Sequence, residues 1–306
     1  MAVLSRSRTT RAVAGSLVGA TAVGAGVLTY ALIEAQSPRL REVSVPVLAP
    51  GQEPLRVLHI SDLHMTPRNH RRQAWVRSLA HLQPDLVVVT GDFLAHRDAL
   101  GPVIGALDAL LDIPGVFVLG SNDYYAPTFG NPLQYLSAPS ERGGSNRPDL
   151  PWRDLVSTLV TCGWRDLSNR DELLHIDGRI VDARGVDDPH IKRDDYAQVA
   201  GPFRADADLR LAIAHAPYLR VIDAMAADHA DLIMCGHTHG GQVCVPGYGA
   251  LVTNCDLDNK AASGLSRCGD SWLHVSAGLG TSPFAPIRFA CPPEATLLTL
   301  VTGPRT

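Results

Sequence analysis

The sequence predicts an α/β domain, and three observations carry that prediction. Short unbroken apolar runs alternate with stretches of helical period, the pattern of strands buried on both faces between helices. Polar side chains collect just after the apolar runs rather than along them, as they do where α/β sheets hold ligands beyond strand carboxyl ends. The chain has 306 residues, 45% hydrophobic and 19% charged. That composition is globular and ample for a large core, which excludes a disordered chain or a fibrous repeat.

The elements follow in order. Residues 12–33 carry no charge and are rich in Ala and Gly, with Arg6, Arg8 and Arg11 ahead of them. As a helix they would reach roughly 33 Å, enough for a ~30 Å hydrocarbon layer. Residues 1–36 are therefore expected to be a signal anchor with an N-terminal transmembrane helix. This predicts a single-pass protein of the cell membrane with its main domain outside the cytoplasm; the alternative is secretion after signal cleavage. Residues 37–54 hold four prolines and a glycine and read as a linker. The domain proper is expected over 55–303.

Within it, Leu55–Ser61 is a strand run and Arg72–Leu82 has helical period. Asp85–Thr90 and Gly115–Leu119 are further strand runs, with helical Asp98–Leu111 between them. Residues 124–152, with Tyr124, Tyr125, Phe129, Tyr135 and Trp152, read as a long loop and a candidate substrate wall. Later strands are expected at Leu173–Ile176, Arg179–Val186, Leu209–Ala214, Leu232–Cys235, Leu273–Ser276 and Ala295–Val301. Their close, hairpin-like spacing predicts a more antiparallel second half. Six cysteines without a C-x-x-C pair argue against a zinc ribbon. They read either as buried free thiols or as disulfides, with a local bridge among Cys244, Cys255 and Cys268.

The chemistry lies at the strand ends. The first delivers Asp62-Leu63-His64, the second Gly91-Asp92, and the third Gly120-Ser121-Asn122-Asp123. Later ones deliver His215 and Gly236-His237-Thr238-His239-Gly240-Gly241. On a regular strand, residues two apart point the same way. Neighbouring glycines let the backbone turn sharply around an ion or a phosphate. Asp62, His64, Asp92, Asn122, His215, His237 and His239 are too many oxygen and nitrogen ligands for one tetrahedral zinc. They suit two borderline cations sharing one carboxylate, a pair that can hold a bridging hydroxide and both oxygens of an in-line phosphoryl displacement. Each piece alone is as well read as a turn or a core residue; the Gly-His-Thr-His-Gly-Gly run is far more specific. His59 reads as core. His70, His81, His96, His175, His190, His229 and His274 read as surface or packing residues.

On these motifs the chain resembles the calcineurin-like metallophosphoesterases, over about residues 53–301. It is most similar to a membrane-associated bacterial branch that includes UDP-diacylglucosamine-hydrolase-like proteins. Ser276-Ala277-Gly278-Leu279-Gly280, Pro286-Ile287-Arg288-Phe289 and Pro293-Glu294 extend the likeness. The resemblance implies a four-layer αββα sandwich of two mixed β-sheets flanked by helices. It implies a first metal on Asp62, His64 and His239, a second on Asn122, His215 and His237, and Asp92 bridging them. The family usually has Gly-Asn-His-Asp where this chain has Gly120-Ser121-Asn122-Asp123. An ungapped match puts Ser121 at the asparagine ligand and Asn122 at the histidine. A one-residue shift keeps Asn122 as ligand, the better neutral donor, and puts Asp123 at the histidine position.

The expected function is a dinuclear phosphoesterase using Mn, Fe or Zn on phosphomonoesters or diesters, attacked in line by a metal-bound hydroxide. Pyrophosphate-type, lipid-linked or cell-envelope substrates fit a membrane anchor. Asp92, Asn122 and Asp123 are the expected catalytic residues, with Asp123 standing in for the missing histidine acid or the leaving group needing none. The alternatives are a catalytically silent, membrane-tethered metal-binding module and a nuclease of the same fold. With 27 basic against 31 acidic residues, net charge −4 argues against a nucleic-acid partner. Nothing in the sequence points to a protein partner.

Overall fold

A computed structural model describes residues 21–128 and 148–303. Helix α1 covers 21–34, and two six-stranded sheets follow. The first sheet runs β1 (Arg39–Leu48), β14 (Glu294–Thr302), β2 (Leu55–Ile60), β3 (Leu86–Thr90), β4 (Gly115–Val118), β5 (Arg165–Asp166). The second runs β12 (Gly264–Cys268), β13 (Ser271–Val275), β9 (Leu232–Cys235), β8 (Leu209–Ala214), β7 (Arg179–Gly185), β6 (Arg170–Ile176). A small ribbon pairs β10 (Cys244–Val245) with β11 (Gly249–Ala250).

The unbroken apolar runs are explained by burial on both faces. In β2, Val57 faces the inter-sheet core with Val181, Leu211 and Met234. Its neighbour Leu58 faces the outer core, as the period of two requires. That outer core holds Val76 of α2 (His70–Ser78), Val103 of α3 (Leu100–Leu107), Tyr124 of the short α4 (Ser121–Tyr124) and Leu155 of α5 (Trp152–Thr161). Across the molecule, Val221 and Met225 of α6 (Leu219–Ala227) pack on Ile233 and Leu273 of the second sheet. The layers are therefore helix, sheet, sheet, helix. Parallel β2, β3 and β4 oppose parallel β7, β8 and β9, which gathers their carboxyl-end loops.

Several expectations are corrected. Residues 39–48 are not a linker but strand β1, paired in parallel with β14 from Arg39↔Glu294 onward. Val45 and Val47 supply its buried face. Pro46 is tolerated because β1 is an edge strand with a register shift there. The second half is mixed rather than mainly antiparallel: only β6–β7 and β12–β13 are antiparallel pairs in the second sheet. Helix α5 begins at Trp152, inside the stretch read as loop. Tyr124 is buried with its hydroxyl on the Asp187 carboxylate, and half-buried Trp152 packs edge-on against it at 5.1 Å, so Tyr124 is core and Trp152 packs on that core rather than forming a substrate wall. Phe129 and Tyr135 lie outside the described residues. All six cysteines are free thiols, five of them buried.

Among the described residues, no helix is long and apolar enough to cross a membrane. The described part of α1, residues 21–34, reaches about 21 Å, and the earlier part of the predicted span, 12–20, lies outside the described residues. The helix is docked at its carboxyl end. Buried Glu34 accepts the amides of Ala290 and Cys291 at 2.9 and 3.1 Å, and Tyr30 meets Phe289 edge-on at 5.4 Å. Val23, Val27, Leu28 and Ile33 remain exposed.

Gly115 opens β4, the strand that leads into the Ser121–Asn122 loop. A Cβ there would stand 2.3 Å from the ring of fully buried Trp164. Gly115→Ala is expected to cost about 1–3 kcal/mol by overpacking, read as a lowered denaturant midpoint at unchanged slope; an unchanged midpoint would show that β4 yields freely.

Candidate metal centre

Each predicted ligand stands just beyond a strand of the parallel cores: Asp62 and His64 after β2, Asp92 after β3, Asn122 after β4, His215 after β8, His237 and His239 after β9. They do not use strand alternation. Asp62, His64, Asp92, His237 and His239 all have positive φ, between 40° and 69°. Backbone of this kind is costly for side-chain-bearing residues and concentrates at functional sites. The turns interlock: the amides of Asp62 and His64 donate to the carbonyls of Gly91 and Asp92 at 3.0 and 2.8 Å. Gly91 has no substitute at this junction. Its φ is +84°, and a Cβ would lie 2.8 Å from Nδ1 of His215 and 2.7 Å from the Gly120 nitrogen.

The side chains form two touching groups. Asp62, His64 and His239 bring ligand atoms within 4.8 Å of one another, as do Asp62, Asp92 and His215. Asp92 Oδ2 stands between the groups, 3.3 Å from His64 Nε2 and 3.6 Å from His215 Nε2. His237 joins through Nδ1, 3.3 Å from His215 Nε2.

Backbone carbonyls set the proton-bearing ring nitrogen of two histidines, because a carbonyl can only accept. His215 Nδ1 faces the Thr90 carbonyl at 2.7 Å and His237 Nε2 that of Asn254 at 3.3 Å. His239 Nδ1 meets both the Gly280 carbonyl and the Arg288 guanidinium at 3.2 Å, an acceptor and a donor. In neutral His215 and His237, the other nitrogen then presents a lone pair to the cavity. His64 Nε2 and His239 Nε2 face each other at 3.1 Å, while Asp62 Oδ1 is buried without a hydrogen bond. Ring nitrogens and carboxylate oxygens this close need a proton or a cation between them. This donor set fits two divalent ions.

The electrostatics agree. Burial and the Asp92 charge push the Asp62 carboxyl up to about 6. Burial drives His64 down to about 4, and His237 and His239 well below the ordinary value, so these rings are neutral donors. Burial also pulls on His215, but the Asp92, Asp188 and Asp62 charges outweigh it and hold the ring up to about 9. Fully buried Arg288 donates to the carbonyls of Ala277 and Gly280 at 2.7 and 2.8 Å, tying the 277–280 turn to the His239 loop.

Ser121 and Asn122 both line the polar cavity. The Asn122 backbone amide donates to Asp92 Oδ1, and its side-chain amide lies 2.8 Å from Asp92 Oδ2. Turning that amide over would put its oxygen at the same point. Asp123 is elsewhere: both its oxygens are taken by the amides of Asp92, Leu94 and Gly120, and it is fully buried outside the cavity lining. Its place is that of a loop anchor rather than an acid facing substrate. His190, read from sequence as a surface or packing residue, instead lines the cavity with its ring 4.5 Å from that of His237. The signal for it was its place just beyond β7, the same rule that found the ligands.

A family model described as calcineurin-like phosphoesterase matches residues 55–241. Over 305 residues the chain is 27% identical to the phosphodiesterase YaeI of Escherichia coli, covering 98% of this chain and all of that protein. It is 27% identical over 334 residues to the UDP-2,3-diacylglucosamine pyrophosphatase LpxG of Chlamydia trachomatis, covering 93% and 96%. It is 25% identical over 288 residues to a bovine transmembrane protein with a metallophosphoesterase domain, covering 88% of this chain and 59% of that protein.

The shifts give a pH test. Without metal, the folded state holds protons on Asp62 and His215 that the unfolded chain has released. Their stabilising contribution is full below the ordinary values of 3.8 and 6.5. It is lost as pH rises through about 6 and about 9. A divalent ion replaces those protons. The gain in Tm on adding Mn²⁺ to stripped protein is therefore expected to be larger at about pH 7.5 than at about pH 5. Equal gains at both would contradict this assignment.

Proposed function

The chain belongs to the calcineurin-like phosphoesterase family and is a metallophosphoesterase, and from that premise we propose a dinuclear enzyme acting on phosphodiesters or pyrophosphate-type esters at a membrane. Asp62, His64 and His239 would hold the first ion and Asn122, His215 and His237 the second, with Asp92 shared between them. The observation that carries this reading is the convergence of histidine ring nitrogens on two buried carboxylates, two of the rings turned by backbone carbonyls. Mn, Fe and Zn all suit such donors. When bound, the ions supply Lewis acidity and an activated water for in-line attack on phosphorus.

The protein's own residues do the rest. The carbonyls of Thr90 and Asn254 orient the His215 and His237 rings, and Arg288 with the Gly280 carbonyl holds that of His239. Asp123 anchors the Asp92 and Gly120 turns through their amides. Asn122 fixes the bridging carboxylate. Where relatives carry a histidine in Gly-Asn-His-Asp, this chain offers Ser121 and Asn122, neither of which is an acid at neutral pH. The leaving group therefore departs as a stable anion, as phosphate and aryloxide do. Exposed apolar side chains on α1 favour membrane association, and an amphipathic or lipid-linked ester is the substrate class in keeping with it.

Hydrolysis of bis-p-nitrophenyl phosphate in Mn²⁺ is expected to fall by more than about 100-fold in Asp92→Ala. Replacing the aryl leaving group by a simple alkyl alcohol is expected to cost a further ~10²–10⁴-fold. Retained turnover in Asp92→Ala would refute the site, and equal rates for both leaving groups would refute the missing-acid account.

A further inference from the structure

Beside the polar metal cavity lies a second, larger one of a different character. The polar cavity holds about 100 Å³; its neighbour holds about 280 Å³. Val243, Leu251, Val252, Ala285 and Ile287 line it. The two share His237, His239, Gln242 and Asn254, so they lie side by side with these residues as their common wall. The apolar character is built in. The hydroxyl of buried Thr253 donates to the carbonyls of Cys255 and Leu257. The Gln242 side chain is drawn onto the Ala285 carbonyl at 2.9 Å. The walls are tied together, because the Phe289 amide donates to the Gln242 carbonyl at 3.0 Å.

We propose that this cavity holds the hydrocarbon chain of the substrate, so that the enzyme selects phosphoesters bearing an acyl or alkyl chain. This rests on the phosphoesterase reading above and assigns that site its specificity pocket. A ligand with its phosphoryl group among the shared histidines has the apolar walls immediately beside it. A wholly polar substrate would leave those walls against water. Helix α1, with exposed Val27, Leu28 and Ile33, is docked through Tyr30 and Glu34 on Phe289, Ala290 and Cys291. That segment continues directly from Ala285 and Ile287 in the cavity wall.

The test uses the full-length, metal-loaded protein and monomeric p-nitrophenyl n-alkyl phosphates, methyl through decyl. All share one leaving group, and only the retained chain grows. KM is expected to fall about fourfold per added methylene until the cavity is full, at nearly constant kcat. In Ile287→Asp and in Ala285→Trp, each compared with its own methyl ester, the dependence on chain length should flatten or stop at shorter chains. Wild-type KM independent of chain length, or an unchanged slope in both variants, would overturn the proposal. Binding of non-hydrolysable n-alkylphosphonates, followed by thermal shift, provides a readout that needs no turnover. If no ester is cleaved but phosphonate affinity still climbs with chain length, the phosphoesterase reading fails and the cavity assignment stands. If the methyl ester is cleaved and neither KM nor affinity depends on the chain, only the cavity assignment fails.

Discussion

Two carboxylates, Asp62 and Asp92, are buried within reach of each other and surrounded by histidine ring nitrogens. Burying one unpaired charge costs several kcal/mol, and a second of the same sign beside it costs more. The pressure appears in Asp62, pushed up to about 6, and in His215, held protonated by its acidic neighbours. Protons are the weak answer to this repulsion. Divalent cations are the strong one, and the rest of the structure is arranged so that they can be held.

The fold meets this demand through where its strands end. Two parallel cores face each other, and their carboxyl-end turns carry every candidate ligand. The turns are strained: five of the ligands sit in left-handed backbone, at about 1–3 kcal/mol each. Packing that leaves no room for a Cβ at Gly91 or Gly278 holds them there. The carbonyls of Thr90 and Asn254 orient two of the rings. Ligand position and strain are thus set by interlocked loops over a rigid double sheet.

Much of this was legible in the sequence because chemistry and geometry demand particular residues. Leu209–Ala214 and Leu232–Cys235 are strands with the bounds the apolar runs predict, since a doubly buried strand tolerates nothing else. Asp62, His64, Asp92, Asn122, His215, His237 and His239 come together because glycines mark the turns that carry them. Strand β1 was hidden because edge strands accept prolines that a linker also contains. Tyr124 and Trp152 were misread because an aromatic in a polar stretch can face inward, and sequence spacing does not say which. Asp123 and His190 exchanged roles for a similar reason. A carboxylate spent on backbone amides and a histidine swung into a cavity are tertiary facts, visible only once the β4 and β7 loops are placed.

The central claim is that the buried carboxylates and histidines form two cation sites rather than a polar core. Calorimetric titration of metal-stripped protein with Mn²⁺ or Zn²⁺ tests it most directly. The account predicts two equivalents per chain in the wild type and weakening of both sites in a variant lacking the Asp92 carboxylate. A stoichiometry of one or none in folded wild-type protein would contradict it.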